Sequence, residues 1–88
     1  MPELSEQMLA QVTGGPVRRH RLAEALGIER GVSAVLLRHA RQLEPAHVLE
    51  RRHHKGRRYE VEYHLRPAAP GEDPSRIREV RLRHSPSP

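Results

Sequence analysis

Apolar residues recur at helical spacing at Leu4, Met8, Leu9 and Val12 and predict a first helix over Leu4 to Val12. Thr13-Gly14-Gly15-Pro16 ends it, because glycine supplies a stop and proline cannot continue the hydrogen-bond ladder. Val17 then stands alone as an apolar residue before a basic run. A second helix is expected from Arg18 to Leu26, turning Leu22, Ala23 and Leu26 inward, with Gly27 as a left-handed C-cap. Ile28 plugs the corner of a tight connection, and a third helix runs from Glu29 or Arg30 to Leu43. At about 100° per residue, Val32, Leu36, His39, Ala40 and Leu43 share one face, with Val35 at its edge. Arg30, Ala34, Arg38 and Arg41 point the other way, and Leu37 falls near them. Pro45 ends this helix by disfavouring helical geometry at the residue before it.

The period then changes. Val48-Leu49 opens a new element, and Tyr59, Val61, Tyr63 and Leu65 alternate with Glu60, Glu62, His64 and Arg66, which is a strand with one buried face. Lys55-Gly56 supplies a turn, so the two segments form a β-hairpin. A two-residue loop would set Val48 opposite Tyr63, Arg51 opposite Glu60 and Arg52 opposite Tyr59. Beyond Arg66 comes a Pro-rich linker, then Arg76 to His84 as a basic patch with Ile77, Val80 and Leu82. That patch reads equally as an extra strand, a last helical turn or an unfolded tail. The folded domain is placed at residues 2–66, and 67–88 is expected to be a flexible, Pro-rich, basic C-terminal tail. The class is α+β.

Composition restricts how such a fold can be held together. The 88 residues contain no Phe, Trp or Cys, so the core is aliphatic and neither disulfides nor thiolate zinc sites can staple it. No apolar run approaches the roughly 20 residues of a membrane span, and Met1 to Ala10 lacks a signal peptide's basic start. A soluble, cytoplasmic protein is therefore expected, without contact to a membrane.

Charge adds the functional direction. The formal net charge is +5, and every basic residue except Lys55 is an arginine, a group suited to bidentate phosphate contact. Between Gly14 and Arg58 eleven Arg and Lys face only Glu24, Glu29, Glu44 and Glu50. Concentrated positive charge of this kind is a footprint for nucleic acid or another polyanion.

The stretch Arg21 to Glu44 resembles a helix-turn-helix of the winged-helix class, as in MarR-like and ArsR-like bacterial regulators. The resemblance rests on Leu22-Ala23, Leu26-Gly27-Ile28, Val32, Leu36 and Leu43-Glu44 ahead of the hairpin. It implies a three-helix bundle with a C-terminal hairpin wing, and binding to double-stranded DNA. The third helix would enter the major groove with Arg30, Ser33, Ala34, Leu37, Arg38 and Arg41, of which Arg38 and Arg41 are the strongest candidates. The wing would bring Arg51, Arg52, His53, His54, Lys55, Arg57 and Arg58 to the backbone or minor groove, while Arg18, Arg19 and Arg21 clamp phosphate.

Other chemistries find little support in the residues. No Gly-rich phosphate loop follows a strand, no nucleophile has an orienting acid, and Glu60 and Glu62 read as a solvated strand face, so no enzymatic activity or cofactor is expected. His53 and His54 should point to opposite faces of a strand, which disfavours joint chelation of a metal. No small-molecule ligand is evident. The expected role is a transcriptional regulator or a nucleoid-type architectural protein, with dimerisation or cooperative loading raising the affinity of a short recognition surface. The rival reading is a protein-interaction module, disfavoured by arginines on the outer face of the third helix.

Overall fold

The structure, a computed structural model, describes residues 2–56, 58 and 60–83. Among these, the chain forms α1 (Glu6–Gly14), β1 (Val17–Arg18), α2 (Arg19–Leu26), α3 (Val32–Gln42), β2 (His47–Lys55), β3 (Glu60–Pro67) and β4 (Ile77–Arg83). The sheet order is β1-β3-β2-β4, with β1–β3 and β2–β3 antiparallel and β2–β4 parallel.

The helices lie close to where the apolar spacing puts them, and local chemistry sets their ends. α1 starts after Ser5, whose Oγ accepts from the Met8 N–H at 3.2 Å. α2 closes in a double bond pattern in which the Gly27 N–H donates to the Glu24 carbonyl and the Ile28 N–H to that of Ala23, each at 3.1 Å. Gly27 makes this possible with φ 67°. α3 begins later than the spacing suggests, because Gly31 at φ 86° reverses the chain immediately before Val32.

Gly27→Ala provides a clean test of the α2 closure. A Cβ at Gly27 would meet nothing within 4 Å, so the cost is conformational and should be about 1–2 kcal/mol. A urea midpoint that falls with an unchanged m-value is the expected result. An unmoved midpoint would show that the left-handed cap carries no strain.

Val17, isolated in the sequence, finds its partner in the sheet: it pairs with Tyr63 as β1 and is buried. It joins Leu4, Val12, Leu22, Leu26, Val32, Val35, Leu36 and Ala40 from the helical side and Leu49, Tyr63 and Leu65 from the sheet. The three helices thus cover one face of the sheet, and among the described residues the cluster's one aromatic member is Tyr63.

Three expectations are corrected here. The winged-helix description, three helices followed by a hairpin, does not hold. A strand lies between the first two helices, and the hairpin forms the centre of a four-stranded mixed sheet. The hairpin register also differs: Arg51 faces Tyr63, and His54 faces Glu60 as the last described pair of the β2–β3 ladder. Leu49, Arg51 and His53 therefore share the helix-side face with Leu65, Tyr63 and Val61, while Val48 lies on the reverse. Alternation could not settle this, because Val48 and Leu49 are both buried, at 2% and 0% exposure.

The third correction concerns the tail expected from residue 67. Residues 77–83 form β4, hydrogen-bonded to β2 in a register running from Leu49↔Ile77 to Lys55↔Arg83. The connection before it is tied down by Glu72, which accepts from the Ala69 N–H at 2.8 Å and from both Arg66 Nη atoms at 2.6 and 2.8 Å. Residues 84–88 of the expected tail lie outside the described residues.

Candidate nucleic-acid interface

The basic residues singled out from the sequence fall into three structural groups. The first belongs to the helices. Arg21, Arg30 and Arg41 are exposed and make no ion pair with another described residue. Ala34 is also exposed and Ser33 half-buried. Arg18 lies 3.8 Å from Glu60, and Arg19 donates from Nη2 to the Glu29 carbonyl at 2.7 Å, which ties the start of α2 to the α2–α3 connection. Arg38 is half-buried and donates to the Pro2 carbonyl at 2.9 Å. Leu37 packs against the core cluster, so it serves the interior more than an outer contact surface. His39 on the apolar face is half-buried, with Nε2 shielded from solvent and lacking a hydrogen-bond partner among the described residues.

The second group lies along β2 and is largely neutralised by carboxylates of β2 itself and of its neighbouring strands. On the helix-side face, Glu79 of β4 accepts from Arg51 Nε at 2.7 Å and also pairs with His53. The Arg51 hydrogen bond holds the Glu79 carboxyl below the usual range against the opposing effect of burial, and His53 adds to it. On the reverse face His54 pairs with Glu62. Glu50 gathers Arg66 at 2.8 Å and Arg52 and His64 at 3.6 Å each. Burial opposes the charged form of Glu50, but the Arg66 hydrogen bond and the charges of Arg66, His64 and Arg52 outweigh it, and its pKa is lowered. His53 and His54 thus occupy opposite faces of β2, each against its own acid.

The third group sits at the hairpin end of the sheet. Lys55 and Arg58 are exposed and make no ion pair with another described residue; Arg57 lies outside the described residues. The parallel register brings β4 to the same end, with Arg81 opposite His53 and Arg83 opposite Lys55.

Sequence spacing identified the basic character of Arg51 to Arg58 but not that its lower half is internally paired. The acid responsible, Glu79, lies in a segment whose fold the pattern leaves open, and nothing local ties it to Arg51. Arg81 and Arg83 are missed for the same reason.

Among the described residues no helix is long and apolar enough to cross a membrane. Comparison of the chain with family models, with curated proteins and with solved structures found no match. The α+β fold and the charge arrangement therefore carry the functional argument.

Proposed function

We propose that this chain binds double-stranded DNA, chiefly by holding its phosphates, as a regulatory or nucleoid-type architectural protein of the cytoplasm. One observation carries the reading. The carboxylates of the sheet are committed to internal pairs, whereas Arg21, Arg30, Arg41, Lys55 and Arg58 project outward without an ion-pair partner among the described residues. The positive charge left over is directed to solvent, where it attracts a polyanion and releases its counterions. Guanidinium groups dominate it, and they hold phosphate oxygens bidentately at any physiological pH.

Major-groove reading by α3 loses its main argument with the hairpin-wing architecture, and Leu37 is engaged with the core. Binding to phosphate positions a protein without specifying sequence. Weak sequence preference and strong salt dependence are thus the expected behaviour.

The test is an anisotropy titration of a labelled 20-base-pair duplex at several salt concentrations. Wild-type affinity should fall steeply with salt. Arg30→Ala/Arg41→Ala should make the slope of log K against log salt shallower by about 1.8, at about 0.9 for each phosphate no longer neutralised. Salt-independent binding, or no binding, would rule out the DNA reading. Retention by an acidic protein surface in place of the duplex would favour the interaction-module alternative.

A further inference from the structure

We infer that the hairpin end of the sheet, built from Lys55, Arg58, Arg81 and Arg83, is a phosphate-backbone site of its own, with β4 as its main ridge. The inference rests on the DNA-binding reading and specifies where on the sheet the backbone runs.

The parallel pairing of β4 on β2 places Lys55 directly opposite Arg83 on one face. Like charges in facing positions destabilise a sheet, and nothing in the backbone pairing requires them there. Two rows earlier the same register sets Arg51 opposite Glu79, so this pair of strands can place an acid against a base. The nearest acids cannot relieve the end of the sheet. Glu79 holds Arg51 and His53, and Glu60 faces Arg18 at 3.8 Å. Arg81 and Arg83 are exposed and make no ion pair with another described residue.

A structural reason for charge on β4 exists, because β4 is the outer strand of the sheet and charged side chains discourage edge-to-edge association. That reason does not extend to Lys55. It ends β2 on the side paired with β4, and there it meets the arginine of its neighbour. An arrangement that costs stability in isolation becomes favourable once an anion lies over it. Residues 81 and 83 share a face and recur about 6.6 Å apart along the strand, which suits a linear polyanion better than a compact one.

The deciding experiment uses the full chain and the same labelled duplex at 50 and 200 mM salt. Wild type is compared with Arg81→Gln/Arg83→Gln, Arg81→Lys/Arg83→Lys and Arg30→Ala/Arg41→Ala. If β4 holds two phosphates, the Gln pair should bind more weakly at low salt. Its affinity should fall between the two concentrations by a factor about tenfold smaller than that of wild type. The Lys pair, which keeps both charges, should retain the wild-type slope, showing that weaker binding by the Gln pair reflects charge and not unfolding. A Gln pair with wild-type affinity and slope, alongside a weakened Arg30→Ala/Arg41→Ala variant, overturns the β4 site while leaving DNA binding intact. Failure of the wild type itself to bind in a salt-dependent way overturns both.

Discussion

Leu65→Ala should lower the unfolding free energy by about 2–5 kcal/mol. Leu65 lies in β3 at 0% exposure, directly across from Leu49, and its side chain fills the space between the central strands and the helices. Removing it deletes buried methyl groups and leaves a cavity that the surroundings can only partly close. Its strand neighbours are fixed by pairing on both sides of the hairpin, so β3 cannot shift inward without breaking ladders to β1 and β2. Among the described core residues only Tyr63 carries a ring, and it is itself packed at 3% exposure. Total stability for a chain of this length is roughly 4–13 kcal/mol, so this one substitution can remove much of it. Urea denaturation followed by circular dichroism should show a midpoint far below wild type at a similar m-value. A drop of under about 1 kcal/mol would mean that the site collapses readily and that Leu65 is not central to the core.

Acid should unfold the protein through its paired and hydrogen-bonded carboxylates, and Glu50→Gln should blunt the effect. Glu50 is depressed by Arg66, His64 and Arg52 against burial, Glu79 by Arg51 and His53, Asp73 by hydrogen bonds from Ser75. Glu72 is held at about 2 by Arg66 and the Ala69 N–H. Each of these groups has a folded-state pKa below its unfolded value. Its stabilisation is present in full above the unfolded value, near 4.3 for Glu, and is lost as pH falls through the folded value. The window is therefore about pH 4.5 down to about 2, set at its lower end by Glu72. Glu50 is the member most enclosed by partners, with a side chain 14% exposed. Its neutral amide should cost roughly 1–3 kcal/mol at neutral pH by weakening the hydrogen bond from Arg66 and removing the charge that Arg52 and His64 face. Because that contribution is then already absent, the variant should lose less stability between pH 6 and pH 3 than wild type. Parallel pH profiles for the two proteins would mean that Glu50 does not titrate with folding.

The two halves of the chain differ in how much of this could be read from residues. In the helical half, burial is one-sided and local: Val32, Leu36 and Ala40 repeat on one stripe, and Gly27 announces its left-handed geometry by being glycine. In the sheet half the decisive relations are long-range. Val48 and Leu49 are both buried because helices cover one face and the connection before β4 covers the other, so no alternation marks which residue faces the core. The two-residue loop assumed from Lys55-Gly56 gives a register of the wrong parity: Arg51 faces Tyr63, not Glu60. Val17 looks like a stray apolar residue until Tyr63 comes alongside it.

The candidate interface divides along the same line. A basic run at Arg51 to Arg58 is plain in the chain, but whether a given arginine meets a phosphate or a carboxylate depends on what pairs beside it. Glu79 is 28 residues from Arg51 and reaches it only because β4 runs parallel to β2. The same strand carries Arg81 and Arg83 to the unneutralised end of the hairpin.

By itself, then, the sequence determined the helices, the hairpin and the excess of arginine, because helical periodicity, turn chemistry and net charge are properties of neighbouring residues. Tertiary structure alone decided the fourth strand, the register of the sheet and which cations remain outward-facing. Strand pairing and charge neutralisation depend on partners far apart along the chain, and only the closed sheet brings them within a few ångströms.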